Sequence, residues 1–215
     1  MIAEAIAGFA RFLAGTSVFW TDGPPDEGQR VYFANHTSHL DFAVLWSALP
    51  SEVRGRTRPI AARDYWEKSA LKRFLSSAVF HAVLVDRLGG QGAPGEENAE
   101  SAERAAAARR TIDTILSEIG DRDSLIVFPE GTRGPGRIPG PFKSGLYHLC
   151  RARPDLEAMP VYLDNMNRIL PKGESLPVPM LSRAIFGRSM KILPGEGKDE
   201  FLGRAREAVI ALERL

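Results

Sequence analysis

Two histidines and an aspartate follow an apolar run in Val31-Tyr-Phe-Ala-Asn-His-Thr-Ser-His-Leu-Asp41, residue types that together can move a proton. An imidazole with one ring nitrogen held by a carboxylate offers the other to a hydroxyl as a general base, and the carboxylate then stabilises the imidazolium that forms. Spacing decides whether His36 and Asp41 can meet. Five positions along a continuous α-helix rotate through about 140°, which sets the two side chains apart. They meet only if His36 lies in a strand-to-helix turn and Asp41 in the first helical turn. Ser38-His-Leu-Asp41 favours that geometry, because it has the form of a capping box with Ser38 as N-cap and Asp41 at N3. The plainer alternative uses the same features: Asp41 caps a helix, His36 is a turn residue, and nothing is catalysed. The chain has no Gly-x-Ser-x-Gly elbow, so a hydroxyl activated by His36 would belong to a substrate. Metal binding by His36 and His39 fits less well, since their spacing is not His-Glu-x-x-His and no third ligand is evident. His39 reads as a packing residue.

A second constellation, Phe128-Pro-Glu-Gly-Thr-Arg-Gly134, also follows a β-branched run. Glycines on both sides of Thr132-Arg133 let backbone N–H groups approach an anion, and the Arg133 guanidinium can grip a phosphate through two parallel bonds. A surface turn with a salt bridge is the plainer alternative. A Walker loop is excluded, because Phe142 stands where Lys143-Ser144 would need a preceding glycine.

Together the two stretches are far more specific than either alone. The sequence resembles the glycerolipid acyltransferase family, typified by 1-acyl-sn-glycerol-3-phosphate acyltransferases. The resemblance rests on His36 and Asp41, separated by four residues, and on Phe128-Pro-Glu130-Gly131-Thr132-Arg133 about ninety residues later. Weaker matches are Arg87 in Val-Leu-Val-Asp-Arg, Pro160 in Met159-Pro-Val-Tyr-Leu163, and Phe142-Lys143-x-Gly145. The similarity runs from about Val31 to Leu163. It implies a fatty acyl group carried as a thioester on coenzyme A or acyl carrier protein, and transferred to the hydroxyl of 1-acyl-sn-glycerol 3-phosphate to give phosphatidate. A thioester is already activated, so direct attack needs no acyl-enzyme, no metal and no cofactor beyond the donor. In that scheme His36 is the base and Asp41 orients it. Arg87 and Arg133 hold the acceptor phosphate, and Gly131 and Thr132 complete the binding turn. Glu130 fixes the loop or a glycerol hydroxyl, and backbone N–H groups near Gly131 are candidate oxyanion donors. The alternatives are another lysolipid acceptor, such as a lyso-ornithine lipid, or a peripheral protein that binds lipid without catalysis.

Both loops must be positioned by strands that end side by side. Arg-Val-Tyr-Phe-Ala reads as a buried strand followed by a helix from about Ser38 to Leu49, closed by Pro50. Arg58 to Ala62, His81 to Arg87, Ser124 to Phe128, Met159 to Leu163 and the region 183–192 read as further strands. A basic helix is expected from about Tyr65 to Ser77, a flexible loop over 89–97 and a long helix from Glu97 to Ile119 with Gly120 as its stop. Helices at Ser144 to Ala152 and Asp199 to Leu215 complete the pattern, the last with Phe201, Ala205, Val209 and Leu212 on one face. Alternating strands and helices predict an α/β single-domain sandwich, with a mostly parallel mixed sheet flanked by helices. Asp164, Asn165 and Asn167 follow a strand end, where loops line sites in such folds, and are expected to touch the acceptor headgroup.

A chain of 215 residues with 44% hydrophobic and 26% charged residues can build one well-buried core. A net charge of +1 argues against a dedicated nucleic-acid binder. The basic run from Arg54 to Arg73 suits anionic lipid heads, coenzyme A phosphates or an acidic carrier protein. The single cysteine, Cys150, sits in an apolar helix and reads as a small buried hydrophobe, and a chain with one thiol suits a reducing compartment. Residues 1–24 are expected to form an N-terminal amphipathic helix, a candidate membrane-docking element, with Ile2, Ile6, Phe9 and Leu13 on one face and Phe12, Val18, Phe19 and Trp20 adding apolar surface. Its uncharged stretch is too short to span a bilayer, so it packs on the core or lies in a membrane interface. Residues 25–215 are the expected acyltransferase domain. The expected location is cytoplasmic, peripherally associated with the inner membrane.

Overall fold

The computed structural model describes residues 2–86, 97–134, 136–166 and 181–215. Among these, seven strands form one sheet: β1 (Thr16–Trp20), β2 (Arg30–Ala34), β3 (Thr57–Ala62), β4 (Val83–Val85), β5 (Ser124–Val127), β6 (Glu157–Asp164) and β7 (Ser182–Phe186). Their spatial order is β1-β7-β6-β2-β5-β3-β4. β6 and β7 are antiparallel and every other neighbouring pair is parallel, as a mostly parallel mixed sheet requires.

β2 lies at the centre and is buried along its whole length. That explains its continuous apolar run, since both faces of a central parallel strand are covered. Tyr32 and Ala34 point into one cluster with Ile126 of β5, Val44 and Leu45 of α2 (Asp41–Ala48) and Ala7 of α1 (Ile2–Ala14). Val31 and Phe33 point into the other. They meet Ile112 and Ile115 of α6 (Glu97–Ile119), Leu146 and Leu149 of α7 (Gly145–Ala152), and Phe201 and Val209 of α8 (Lys198–Leu212). The expected terminal-helix face of Phe201, Ala205, Val209 and Leu212 is buried here. Gly120 ends α6 with φ +54, the left-handed conformation that glycine adopts without Cβ strain. The helices numbered between these are α3 (Ser51–Arg54), α4 (Arg63–Trp66) and α5 (Ala70–Phe74).

Three expectations are corrected. The amphipathic helix expected over 1–24 ends at Ala14, and Thr-Ser-Val-Phe-Trp is an edge strand: β1 pairs in parallel with β7, and Trp20 stacks on Phe186 at 3.8 Å. The basic helix from Tyr65 to Ser77 is broken into α4, α5 and a π-helical turn over Leu75–Val79. The basic run is also not one surface. Arg54 is buried against Glu4, Arg56 pairs with Glu27, Arg58 with Glu118, and Arg63 with Glu67 and Asp86. In α1 the fully buried residue is Ala7, Ile6 is half-buried and Phe9 is 65% exposed; the side chains of Ile2, Phe12 and Leu13 lie outside the described residues, as does the loop 89–96.

Candidate active site

Parallel pairing of β2 with β5 sets Phe33 opposite Val127. The segments that leave the carboxyl ends of these two strands therefore emerge as neighbours, and they are the two stretches singled out by sequence. Asn35 extends the strand pairing by one step on the other flank. Its side-chain Nδ2 donates to the Leu163 carbonyl at 2.9 Å and its Oδ1 accepts from the Leu163 N–H at 2.8 Å. A buried amide with both ends engaged fixes the backbone immediately before His36.

His36 Nδ1 lies 2.9 Å from Asp41 Oδ2. The same oxygen accepts the N–H groups of Thr37 at 2.6 Å and Ser38 at 2.8 Å. Asp41 is fully buried, and among the described residues its Oδ1 has no partner. The capping box forms only in part. The carboxylate reaches back to the Ser38 N–H as expected, but Ser38 Oγ accepts from Leu40 rather than Asp41, and α2 begins at Asp41 itself. With Nδ1–H donated to Asp41, the other ring nitrogen, Nε2, carries the lone pair that can take a proton. The ring stacks on Phe128 with centroids 4.4 Å apart.

Glu130, also buried, clamps the two segments together. Its Oε1 accepts the His36 N–H at 2.7 Å and its Oε2 accepts the Gly140 N–H at 2.9 Å. The Gly134 N–H returns to the His36 carbonyl at 2.8 Å. The Glu130 carboxylate thus holds backbone on both sides, which is the loop-fixing role. Gly131 has φ +67 and its N–H donates to the Phe128 carbonyl at 2.9 Å, so that group is engaged within the turn and is not an oxyanion donor in this geometry. Thr132 is exposed and Arg133 half-buried. Arg87 and Asn167 lie outside the described residues.

His36, Gly131 and Arg133 open onto a cavity of ≈ 330 Å³. Most of its wall is apolar, including Phe42, Ile60, Trp66, Val85 and Phe128. His39 joins the wall. Burial, followed by the positive charge of Arg133 and Lys72, pushes its pKa below the usual 6.5 and favours the neutral ring. Asp164 and Asn165 do not join it. Asp164 is buried between Arg137 at 3.0 Å and Arg183 at 3.1 Å, and Asn165 turns the chain with φ 64 while donating to the Leu181 carbonyl. Cys150 is buried, with its thiol pushed up to about 12, which keeps it un-ionised and unreactive.

A family model described as Acyltransferase matches residues 21–164, the span that carries every part of this site. The chain belongs to the acyltransferase family. Within that family it is similar to a 1-acyl-sn-glycerol-3-phosphate acyltransferase of Limnanthes alba, 28% identical over 205 residues. That match covers 88% of this chain and 60% of the relative, so the chain spans about three fifths of the curated relative's length. The acyltransferase fold is shared with a solved structure, the 1-acyl-sn-glycerophosphate (LPA) acyltransferase PlsC from Thermotoga maritima. The two agree at a TM-score of 0.71 and 17% identity, covering 99% of this chain and 79% of that one. Among the described residues, no helix of this acyltransferase-family chain is long and apolar enough to cross a membrane.

Asn35 and the half-buried His39 were not singled out as site residues by sequence. Asn35 directly precedes His36, and a side-chain amide at a strand end is the one signal that points to it.

Proposed function

We propose that this chain transfers a fatty acyl group from a thioester on coenzyme A or acyl carrier protein to the free hydroxyl of 1-acyl-sn-glycerol 3-phosphate, forming phosphatidate. The observation that carries the reading is the His36–Asp41 pair opening onto one cavity with Arg133, on a chain of the acyltransferase family. His36 Nε2 takes the hydroxyl proton as the oxygen attacks the thioester carbonyl carbon. The tetrahedral intermediate collapses with cleavage of the carbon–sulfur bond, and the imidazolium returns the proton to the departing thiolate. Asp41 stabilises the transient imidazolium, and Arg133 with Arg87 neutralises the acceptor phosphate. The apolar wall suits an acyl chain, and the cavity volume falls in the range of small-molecule sites, about 300–1,000 Å³. The name of the Limnanthes alba relative supports the choice of acceptor.

The test mixes purified protein with acyl-coenzyme A or acyl carrier protein thioester and lysophosphatidate, and follows thiol release and phosphatidate by mass spectrometry. His36→Ala is expected to lower kcat by about 10²–10⁴-fold. Release undiminished in that variant would reject His36 as the base.

A further inference from the structure

We propose that Lys143 is a further cation for the acceptor phosphate, acting beside Arg133 at the turn of Gly131. The proposal rests on the acyltransferase reading above and names a residue to which that reading gives no role.

Gly131 is constrained by its backbone and covered by a lysine. Its φ of +67 lies where side chains are strained, and its open face is covered by Lys143. A Cβ added there would lie 2.7 Å from Lys143 Nζ and 3.0 Å from its Cδ and Cε. The lysine therefore lies along the glycine, with its amine against a residue that lines the cavity together with His36 and Arg133. Its starting point is fixed as well, because the Lys143 N–H donates to the Pro129 carbonyl at 2.8 Å. Pro129, Gly131 and Lys143 thus meet at one corner.

Charge gives this corner its function. Glu130, the acid of the same turn, has both oxygens bonded to backbone N–H groups. Among the described residues, neither the Arg133 guanidinium nor the Lys143 ammonium has a carboxylate or hydrogen-bond partner, whereas Arg137 nearby in sequence is paired with Asp164. Arg133 on the turn and Lys143 against Gly131 are thus two cations without an acid, and a doubly charged phosphomonoester supplies the negative charge that the protein does not. A planar guanidinium and a compact ammonium also divide the work: the first fixes orientation through paired bonds, the second supplies a point charge. A coenzyme A donor carries phosphates too, so the shared chemistry is a phosphate ester, and the acceptor is the source assigned here.

Lys143→Ala and Lys143→Arg should be compared with wild type, varying lysophosphatidate and then each donor separately, with thermal melts to verify folding. Lys143 is exposed, so both variants are expected to fold. For Lys143→Ala the expected result is a rise in the lysophosphatidate KM of about 10- to 100-fold with little change in kcat. Donor KM should hold, Lys143→Arg should recover part of the loss, and turnover of a phosphate-free monoacylglycerol should be insensitive to the change. An unchanged acceptor KM, or a rise in the acyl-coenzyme A KM instead, overturns the assignment. Absence of wild-type turnover of lysophosphatidate with either donor would instead defeat the functional reading, and calorimetric titration of the same lipid then decides the present one. A roughly tenfold weaker binding by Lys143→Ala supports it, and equal binding or none by wild type overturns it.

Discussion

Glu130 and His39 have roles set by what their atoms touch. An amide in place of the Glu130 carboxylate keeps one acceptor but turns an NH₂ toward either the His36 or the Gly140 N–H, donor against donor. Glu130→Gln is therefore expected to destabilise the fold by about 1–3 kcal/mol, and to lower kcat with the acceptor KM nearly unchanged. Chemical denaturation and steady-state kinetics measure both. A raised acceptor KM at full stability would mean that Glu130 touches the lipid instead. His39 carries a pH signature. Its folded-state pKa is depressed below 6.5 by burial and by Arg133, so between the folded and unfolded values the unfolded chain binds the extra proton. Stability contributed by the neutral ring is complete above about 6.5 and is lost as pH falls. His148, also pushed down by burial and Lys198, acts in the same direction. Melting at about pH 7.5 and about pH 5.5 should show a decline on acidification that His39→Asn reduces but does not abolish. An identical decline in the variant would remove His39 from the account.

At the scale of elements, the site exists because β2 and β5 are neighbours although about ninety residues separate them in sequence. Asn35 ties the end of β2 to β6, and under the proposed function that firmness matters, since a catalytic ring tolerates little positional slack. Removing its amide strands the N–H and the carbonyl of Leu163 in a buried environment. Asn35→Ala is expected to cost about 2–6 kcal/mol, from two buried backbone groups at about 1–3 kcal/mol each. Activity should fall further than the folded fraction accounts for, measured by kinetics on material shown folded by circular dichroism. Activity in strict proportion to folded protein would reduce Asn35 to a packing residue. Sequence made much of this legible, because continuous apolar runs marked β2, β5 and β6 and because Ser-His-Leu-Asp encoded the reach of Asp41 back to the turn. It hid what tertiary contacts decide. The helix began three residues after Ser38 because the Asp41 carboxylate, rather than the serine hydroxyl, gathers the turn's N–H groups. The basic run looked continuous, yet its arginines are drawn to acids from four different elements and loops that no local window contains.

For the whole molecule, the N-terminal segment is where sequence left two destinations open, core or bilayer, and the structure divides its residues between core and exposed surface. α1 is fastened to the body by Ala7, by Ile6 and by the ion pair of Glu4 with buried Arg54, and β1 closes the sheet edge beside β7. Helical spacing pointed to Phe9 as part of the packing face, and strand propensity in Thr-Ser-Val-Phe-Trp was masked by the helix pattern before it. The small residue won the contact because it lets α1 approach α2 closely, which leaves Phe9 65% and Phe19 51% exposed. Under the proposed function, exposed aromatics on a segment fastened to the sheet suit peripheral attachment, since such rings settle in the headgroup region. Under the proposed function, Phe9→Ser with Phe19→Ser is expected to reduce co-sedimentation with anionic phospholipid vesicles. Stability should shift by no more than about 0.5 kcal/mol per site, as for surface substitutions elsewhere, and turnover of lysophosphatidate dispersed in detergent should be kept. Undiminished sedimentation would locate attachment elsewhere on the molecule. A collapse in stability would show instead that the two rings are held against the body of the protein.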